Sequence, residues 1–430
     1  MTRRNPLWRF LTLLFALALV AAACGDDDDG DEGATTDDTE ASDDEGTSSG
    51  GGDGVLKIGT LLPETGSLAF LGPPEFAGVE LAIQEINEAG GVLGNDVESV
   101  KGDSGDTSTD IANQTVDSHL REGVDVIIGA ASSGVSFTVI DKITGAGVVQ
   151  ISPANTSPDF TDYDDNGLYF RTAPSDVLQG RVLGELVIDD GHAAVGILAL
   201  QDPYGEGLAD NVEKSVTDSG GEVVEKIIYD PQQQTFDAEV QQIASASPDS
   251  IVLIGFDESA RIITALAEAG IGPQDVPLYL VDGNTGNALG EQLPAGLLEG
   301  VQGTIPGAEA TQEFRDRLLE VDPDLQDYSY AAESYDAVII AALAAIAADS
   351  DAGEDIGANL VDVTKGGTKC TTFAECRDLL EEGEDIDYDG VSGPIEFSDV
   401  GDPTEATIGI YTFGPDNKLL EDVTYRSGQI

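Results

Sequence analysis

Short apolar runs rich in Val and Ile recur along the chain, each followed by a polar turn and then by a stretch with apolar residues at helical spacing. Continuous apolar runs of this length read as strands buried on both faces. They fall at 55–62, 124–128, 148–152, 193–200, 223–229, 250–254, 276–281 and 301–305. Between them lie amphipathic helices, of which 74–89 is the clearest. Phe76, Val79, Ile83 and Ile86 share one face of it, Pro73-Pro74 opens it and Gly90-Gly91 closes it. Strands alternating with helices predict an α/β protein whose parallel, doubly wound sheets are covered by helices on both faces. Residues 55–430 make 376 positions, more than one hydrophobic core usually organises, so two such units are predicted.

The first 54 residues follow a different pattern. Arg3, Arg4 and Arg9 precede an almost unbroken apolar run from Phe10 to Ala23, whose last small residues lead into Cys24. That order describes a secretory signal over 1–23. The run is about 14 residues, short of the roughly 20 that a membrane-crossing helix needs. A cysteine directly after small residues resembles the lipobox of bacterial lipoproteins, which implies cleavage before Cys24 and lipid on the new N-terminus. Several acyl chains, at about 0.8 kcal/mol per buried CH₂, would hold the exported protein on the outer face of the cytoplasmic membrane. Residues 25–54 then carry 13 Asp and Glu and no Lys or Arg, so 24–54 is expected to be a disordered, self-repelling tether.

Charge narrows the partners. The formal net charge is −63, and residues 55–430 alone hold 69 acidic against 16 basic side chains. Nucleic acid and anionic lipid surfaces are therefore poor partners. Repulsion on this scale is least costly where salt screens it, which reads as adaptation to saline surroundings.

Open α/β sheets bind ligands beyond the carboxyl ends of their strands, so the loops that follow the predicted strands are the candidate chemistry. After 124–128 come Ser132-Ser133-Gly134 and a helical stretch, where hydroxyls and free N–H groups at a helix start suit a carboxylate; Ser at such a position is also an ordinary N-cap. After 148–152 comes a polar loop bounded by Pro153 and Pro158, with Asn155 and Thr156 inside it. Tyr204 stands in the turn after 193–200, and Asp282-Gly283 follows 276–281.

Together these segments resemble the Leu/Ile/Val-binding family of solute-binding proteins, the extracytoplasmic receptors of ABC importers. The strongest matches are Lys57-Ile58-Gly59 through Gly66, 75–91, 151–158, 204–208 and 331–338. The resemblance implies the type I periplasmic-binding fold, with two α/β lobes joined by hinge strands and closing on a ligand. Lobe one would comprise 55–174 and 306–404, lobe two 175–305 and 405–430. It implies that Ser133, with neighbouring N–H groups, holds an amino-acid carboxylate, and that Asn155, through its backbone, and Thr156 hold the ammonium and carboxylate groups. Asp282 would supply the acidic counter-charge from the second lobe, one methylene shorter than the family's usual Glu. Tyr204 would close over the ligand, and Leu71 and Phe256 would fall in its side-chain pocket. Carboxylate donors in one lobe and Asp282 in the other mean that only the closed form satisfies both ends of a zwitterion, so ligand shifts the population towards closure. The implied partners are a small amino acid, branched-chain or similar, an ABC permease with its ATPases, and the membrane through the N-terminal lipid. The receptor would be a monomer without a cofactor.

Alternatives remain at this level. Relatives of this kind also take up amides, urea and aromatic acids, and a receptor of the same build can report to a sensor instead of an importer. An enzyme reading lacks a Gly-x-Ser-x-Gly elbow and a phosphate loop, and His119 and His192 offer little general-base chemistry. Residues 385–396 fit the calcium-loop pattern from Asp385 to Glu396, but Gly393-Pro394 interrupts it and a hairpin is expected there. Asp162 to Gly167 starts the same way and lacks the twelfth-position acid, so it reads as a polar turn. Cys370 and Cys376, in an exported protein, are expected to form a local disulfide. Trp8, the one tryptophan, lies in the signal.

Overall fold

The computed structural model describes residues 52–430; the signal, Cys24 and nearly all of the acidic tether lie outside the described residues. Two principal sheets organise the molecule. The first has the spatial order Glu98–Val100, Lys57–Leu61, Val126–Gly129, Val149–Ser152, Tyr169–Arg171, with every neighbouring pair parallel. The second runs Thr424–Gln429, Glu405–Thr412, Gln302–Pro306, Leu278–Leu280, Ser250–Ile254, Ala194–Leu200, Glu222–Tyr229; its last five strands are parallel, and the two C-terminal strands join antiparallel at one edge. We refer to the bodies around these sheets as the first and second lobes.

All eight apolar runs are strands, shifted by no more than two or three residues at their ends. Every residue of Val126–Gly129, Val149–Ser152 and Ser250–Ile254 is buried, as strands covered by helices on both faces require. The helix expected at 74–89 is Gly72–Glu88, which packs on Ala331–Ala348. The latter is apolar enough over 18 residues to cross a membrane, but 83% of it is buried in the first lobe, which makes it a core helix. Its close fit depends on Gly78, where an added Cβ would stand 2.2 Å from the Ala331 carbonyl.

The short strands Glu98–Val100 and Tyr169–Arg171 and the two C-terminal strands have no continuous apolar run; the C-terminal pair is half-buried or exposed along most of its length. A small sheet carries Thr368–Cys370, Ile386–Gly390 and Gly393–Pro394. Cys370 and Cys376 are joined there, with Cα atoms 5.4 Å apart. The calcium-pattern stretch is this strand and its hairpin, with Gly390 paired to Gly393. Lys369 lies 2.9 Å from Asp389 and 3.4 Å from Asp387, so these acids face a lysine. Among the described residues no group of three or more His, Cys, Asp or Glu is arranged to hold a metal.

The chain passes between the sheets three times. Residues 172–175 leave Tyr169–Arg171 for the helix Asp176–Asp189 of the second lobe, 307–311 return from Gln302–Pro306, and 403–404 lead into Glu405–Thr412.

Candidate functional site

Strand order reverses beside the first strand of each sheet, between Lys57–Leu61 and Val126–Gly129 in one and between Ala194–Leu200 and Ser250–Ile254 in the other. Crevices at such reversals, beyond the carboxyl ends of strands, are where these sheets take ligands. The sequence candidates follow the strands beside both reversals. Leu71 and Ser133 come after the first pair, Tyr204 and Phe256 after the second, Asn155 and Thr156 after Val149–Ser152, and Asp282 after Leu278–Leu280.

The two ends meet. Ser157 Oγ donates to the Pro203 carbonyl at 3.0 Å, from one lobe to the other. Gly207 packs so closely on Pro158 that an added Cβ would lie 2.7 Å from its ring. The lobes are therefore shut, and Ser133, Asn155, Thr156, Tyr204, Phe256 and Asp282 are all buried.

On the first-lobe side, Ser132 caps the helix Ser133–Thr144 through its side chain, which leaves Ser133 at the first helical position. The Ser133 hydroxyl accepts the Ser157 N–H at 3.3 Å. The side chain of Asn155 is spent on structure, which leaves only its backbone for the role expected of it: the amide donates to the Ala131 carbonyl at 2.8 Å and accepts from Tyr169 at 2.9 Å. Arg171 braces the same loop from below, donating to the Ser157 carbonyl at 2.7 Å and the Asn155 carbonyl at 3.3 Å. That guanidinium is itself fully buried and paired with Asp402 through Nε at 2.5 Å and Nη2 at 2.9 Å. Thr156 Oγ1, by contrast, has no hydrogen-bond partner among the described residues.

On the second-lobe side, Asp282 accepts from Tyr204 at 2.7 Å and Gln179 at 2.9 Å on one oxygen, and from Tyr330 at 2.7 Å on the other. Burial raises its pKa, and these three donors partly offset that rise. Tyr204 stacks on Phe256 with ring centroids 5.5 Å apart. A recess of about 30 Å³ opens beside Phe256, and its wall holds Phe70 in place of the neighbouring Leu71. Leu71 is buried in the same apolar cluster as Ala131, Ala154 and Tyr204.

Sequence reasoning missed Asp176, Gln179 and Tyr330. Asp176 is the most telling. It is 0% exposed and neither carboxylate oxygen has a partner among the described residues. Burial first, then the Asp282 carboxylate, hold its pKa well above the usual range, while the Thr156 hydroxyl eases the charged form without meeting hydrogen-bond geometry. Asp176 follows the three-residue strand Tyr169–Arg171, too short to register as an apolar run, so its loop did not stand out; a strand-by-strand search with that element included would have found it. Tyr330 follows no strand, and no rule based on strand ends reaches it.

Two buried carboxylates therefore lie close enough to act on one another, and Arg171, the cation that acts on Asp176, is already committed to Asp402. A positively charged group would neutralise this pair, and N–H groups at the N-terminus of Ser133–Thr144 suit a negative one.

A family model described as periplasmic binding protein matches residues 55–408. The chain belongs to the periplasmic binding protein family. Among its relatives, Leu/Ile/Val-binding protein homolog 1 of Brucella suis is 29% identical over 315 residues, covering 70% of this chain and 80% of that protein. A chemotactic signal transduction system substrate-binding protein of Halobacterium salinarum is 25% identical over 373 residues, 80% of this chain and 84% of that one. The crystal structure of the branched-chain amino acid transporter substrate-binding protein LivJ from Streptococcus pneumoniae, in complex with isoleucine, superposes with a TM-score of 0.70 at 24% identity, covering 87% of this chain and 100% of that chain. This periplasmic binding protein is thus a solute-binding protein of the Leu/Ile/Val type and not an enzyme, and its family implies export.

Proposed function

We propose that the protein is the lipid-anchored receptor of an ABC importer and captures a small amino acid, of branched-chain or similar apolar type, between its lobes. The observation that carries this reading is the pair of buried carboxylates, Asp176 and Asp282, with the unpartnered Thr156 hydroxyl beside them. An ammonium group satisfies all three at once, whereas benzoate-like acids, amides and urea leave the carboxylates without a counter-charge. The ligand carboxylate goes to Ser133 and the adjoining helix N–H groups, the apolar side chain to the recess beside Phe256. Closure follows because the two charged ends are held from opposite lobes, and the permease reads the closed form. The Brucella relative and the isoleucine complex of LivJ support the amino-acid class.

A thermal-shift screen of the mature protein tests this. Leucine, isoleucine, valine, alanine and threonine are compared with their 2-oxo acids and amides, with urea and with benzoate. A true ligand at a hundred times its Kd adds about 2.7 kcal/mol of stability. A shift from an amino acid and none from the matching 2-oxo acid is expected; a shift from benzoate or urea alone would overturn the assignment. The Halobacterium relative favours a second reading, delivery to a chemotactic sensor, and uptake of labelled ligand by cells lacking this protein separates the two. Replacing Cys24 by Ser should release the protein from the membrane fraction.

A further inference from the structure

Another buried acid lies away from the solute crevice, at the joint between the lobes. Glu333 stands in the first turn of the core helix Ala331–Ala348 and is 4% exposed. Its backbone carbonyl accepts from Thr172 Oγ1 at 2.9 Å, which ties this helix to the first crossover segment. Its carboxylate receives no hydrogen bond from any other described residue, the nearest donor being its own N–H. It lines a crevice of about 280 Å³ whose wall includes residues from all three crossovers: Thr172 and Pro174, Gly307, and Pro403 with the adjoining Glu405. Gly307 lies at φ +123°, and an added Cβ there would stand 2.7 Å from Glu333 Oε1, so the carboxylate packs against bare backbone of the second crossover.

The rest of the wall mixes the polar Ser392, Thr407, Ser427 and Gln429 with Pro394, Ile395 and Ala406; its other acid, Glu405, is an exposed residue, and it contains no Lys or Arg. Behind Glu333, Glu75 on the helix Gly72–Glu88 is fully buried with both oxygens unpartnered, and the two acids repel each other. Asp336, one turn along from Glu333, is satisfied by Tyr388, Val391 and Ser392 and supplies no positive charge. Burial, with Asp336 adding to it, pushes Glu333 up to about 8. A buried acid that meets no positive charge in its crevice either keeps a proton or takes a cation in its place.

We propose that this hinge crevice is a binding site for a small monovalent cation, held by the Glu333 carboxylate with hydroxyl and backbone oxygens of the crossover segments. Glu333 is the one buried carboxylate of this wall, which suits a single charge; divalent ions draw on several carboxylates. Because its walls are the segments that join the lobes, a cation held there favours one lobe arrangement over the other and so tunes solute affinity.

The test uses the ligand-free mature protein in sodium, potassium or rubidium chloride against N-methylglucamine chloride at equal ionic strength, which removes general screening from the comparison. The melting temperature should be higher in at least one small-cation salt by about 2 °C or more, and the difference should vanish in Glu333→Gln. Equal melting in all four salts, or a difference that survives in Glu333→Gln, overturns the proposal. Should that variant not fold, crystals of the unaltered protein grown in rubidium decide: an anomalous peak at coordinating distance from Glu333 supports the site and its absence overturns it. Asp176→Asn, placed at the solute crevice, should keep the cation effect, so this proposal stands or falls apart from the amino-acid reading.

Discussion

Asp402 and Asp176 are both buried, and they are treated in opposite ways. Asp402 receives the Arg171 guanidinium on both oxygens and the Thr161 hydroxyl at 2.6 Å. Asp176 receives nothing and shares its surroundings with another acid, Asp282. The first arrangement is complete without any further molecule and holds the third crossover against the loop that carries Asn155 and Thr156. The second, on the function proposed above, is complete only when something positively charged arrives. Buried charge that the chain neutralises itself is scaffold; buried charge that it leaves open marks where another molecule belongs.

Two substitutions should separate these roles. Arg171→Met leaves Asp402 buried without its counter-ion and removes both props under the 155–157 loop, so it should cost about 3–5 kcal/mol of stability, read by denaturant unfolding of the ligand-free protein. Asp176→Asn removes a charge that nothing in the protein pairs with, so ligand-free stability should be unchanged or slightly raised. Its cost falls on binding: loss of one charged hydrogen bond, about 1.5–3 kcal/mol, weakens the amino acid roughly ten- to a hundredfold by calorimetric titration. If Asp176→Asn unfolds the protein while binding in the survivors is intact, the contrast between the two acids is wrong.

That contrast also shows what the sequence could reveal. Strands such as Val126–Gly129 and Ser250–Ile254 are buried on both faces, so their apolar runs announce them, and ligand loops follow directly from strand ends. The positions of Asp282, Tyr204 and Thr156 in loops after strands were legible in that way. Asp176 was hidden because its strand is three residues long and its own position, at the start of Asp176–Asp189, looks like an ordinary acidic helix N-terminus. Whether an acid is paired is decided by residues distant in the chain. Arg171 and Asp402 are separated by 231 positions, and nothing local to either tells that they meet. Asn155 shows the reverse case, a polar residue in the right loop whose side chain turns out to be committed to Ala131 and Tyr169.

The smallest expected effect is a pH dependence, and its sign follows from the raised pKa values of Asp176 and Asp282. An acid whose folded pKa lies above its unfolded value binds a proton more readily in the folded protein, so its stabilising contribution is full below the unfolded pKa, about 4, and is lost as pH rises through the folded pKa. The ligand-free protein should therefore lose stability as pH climbs from about 4 towards neutrality. An ammonium ligand prefers the ionised carboxylates, so its affinity should move the other way, strengthening over the same interval with protons released on binding. Calorimetric titrations in two buffers of different ionisation enthalpy read that release directly. In Asp176→Asn the release should shrink. A proton release left whole in Asp176→Asn would move the open charge from Asp176 to Asp282, and with it the end of the crevice that receives the ammonium group.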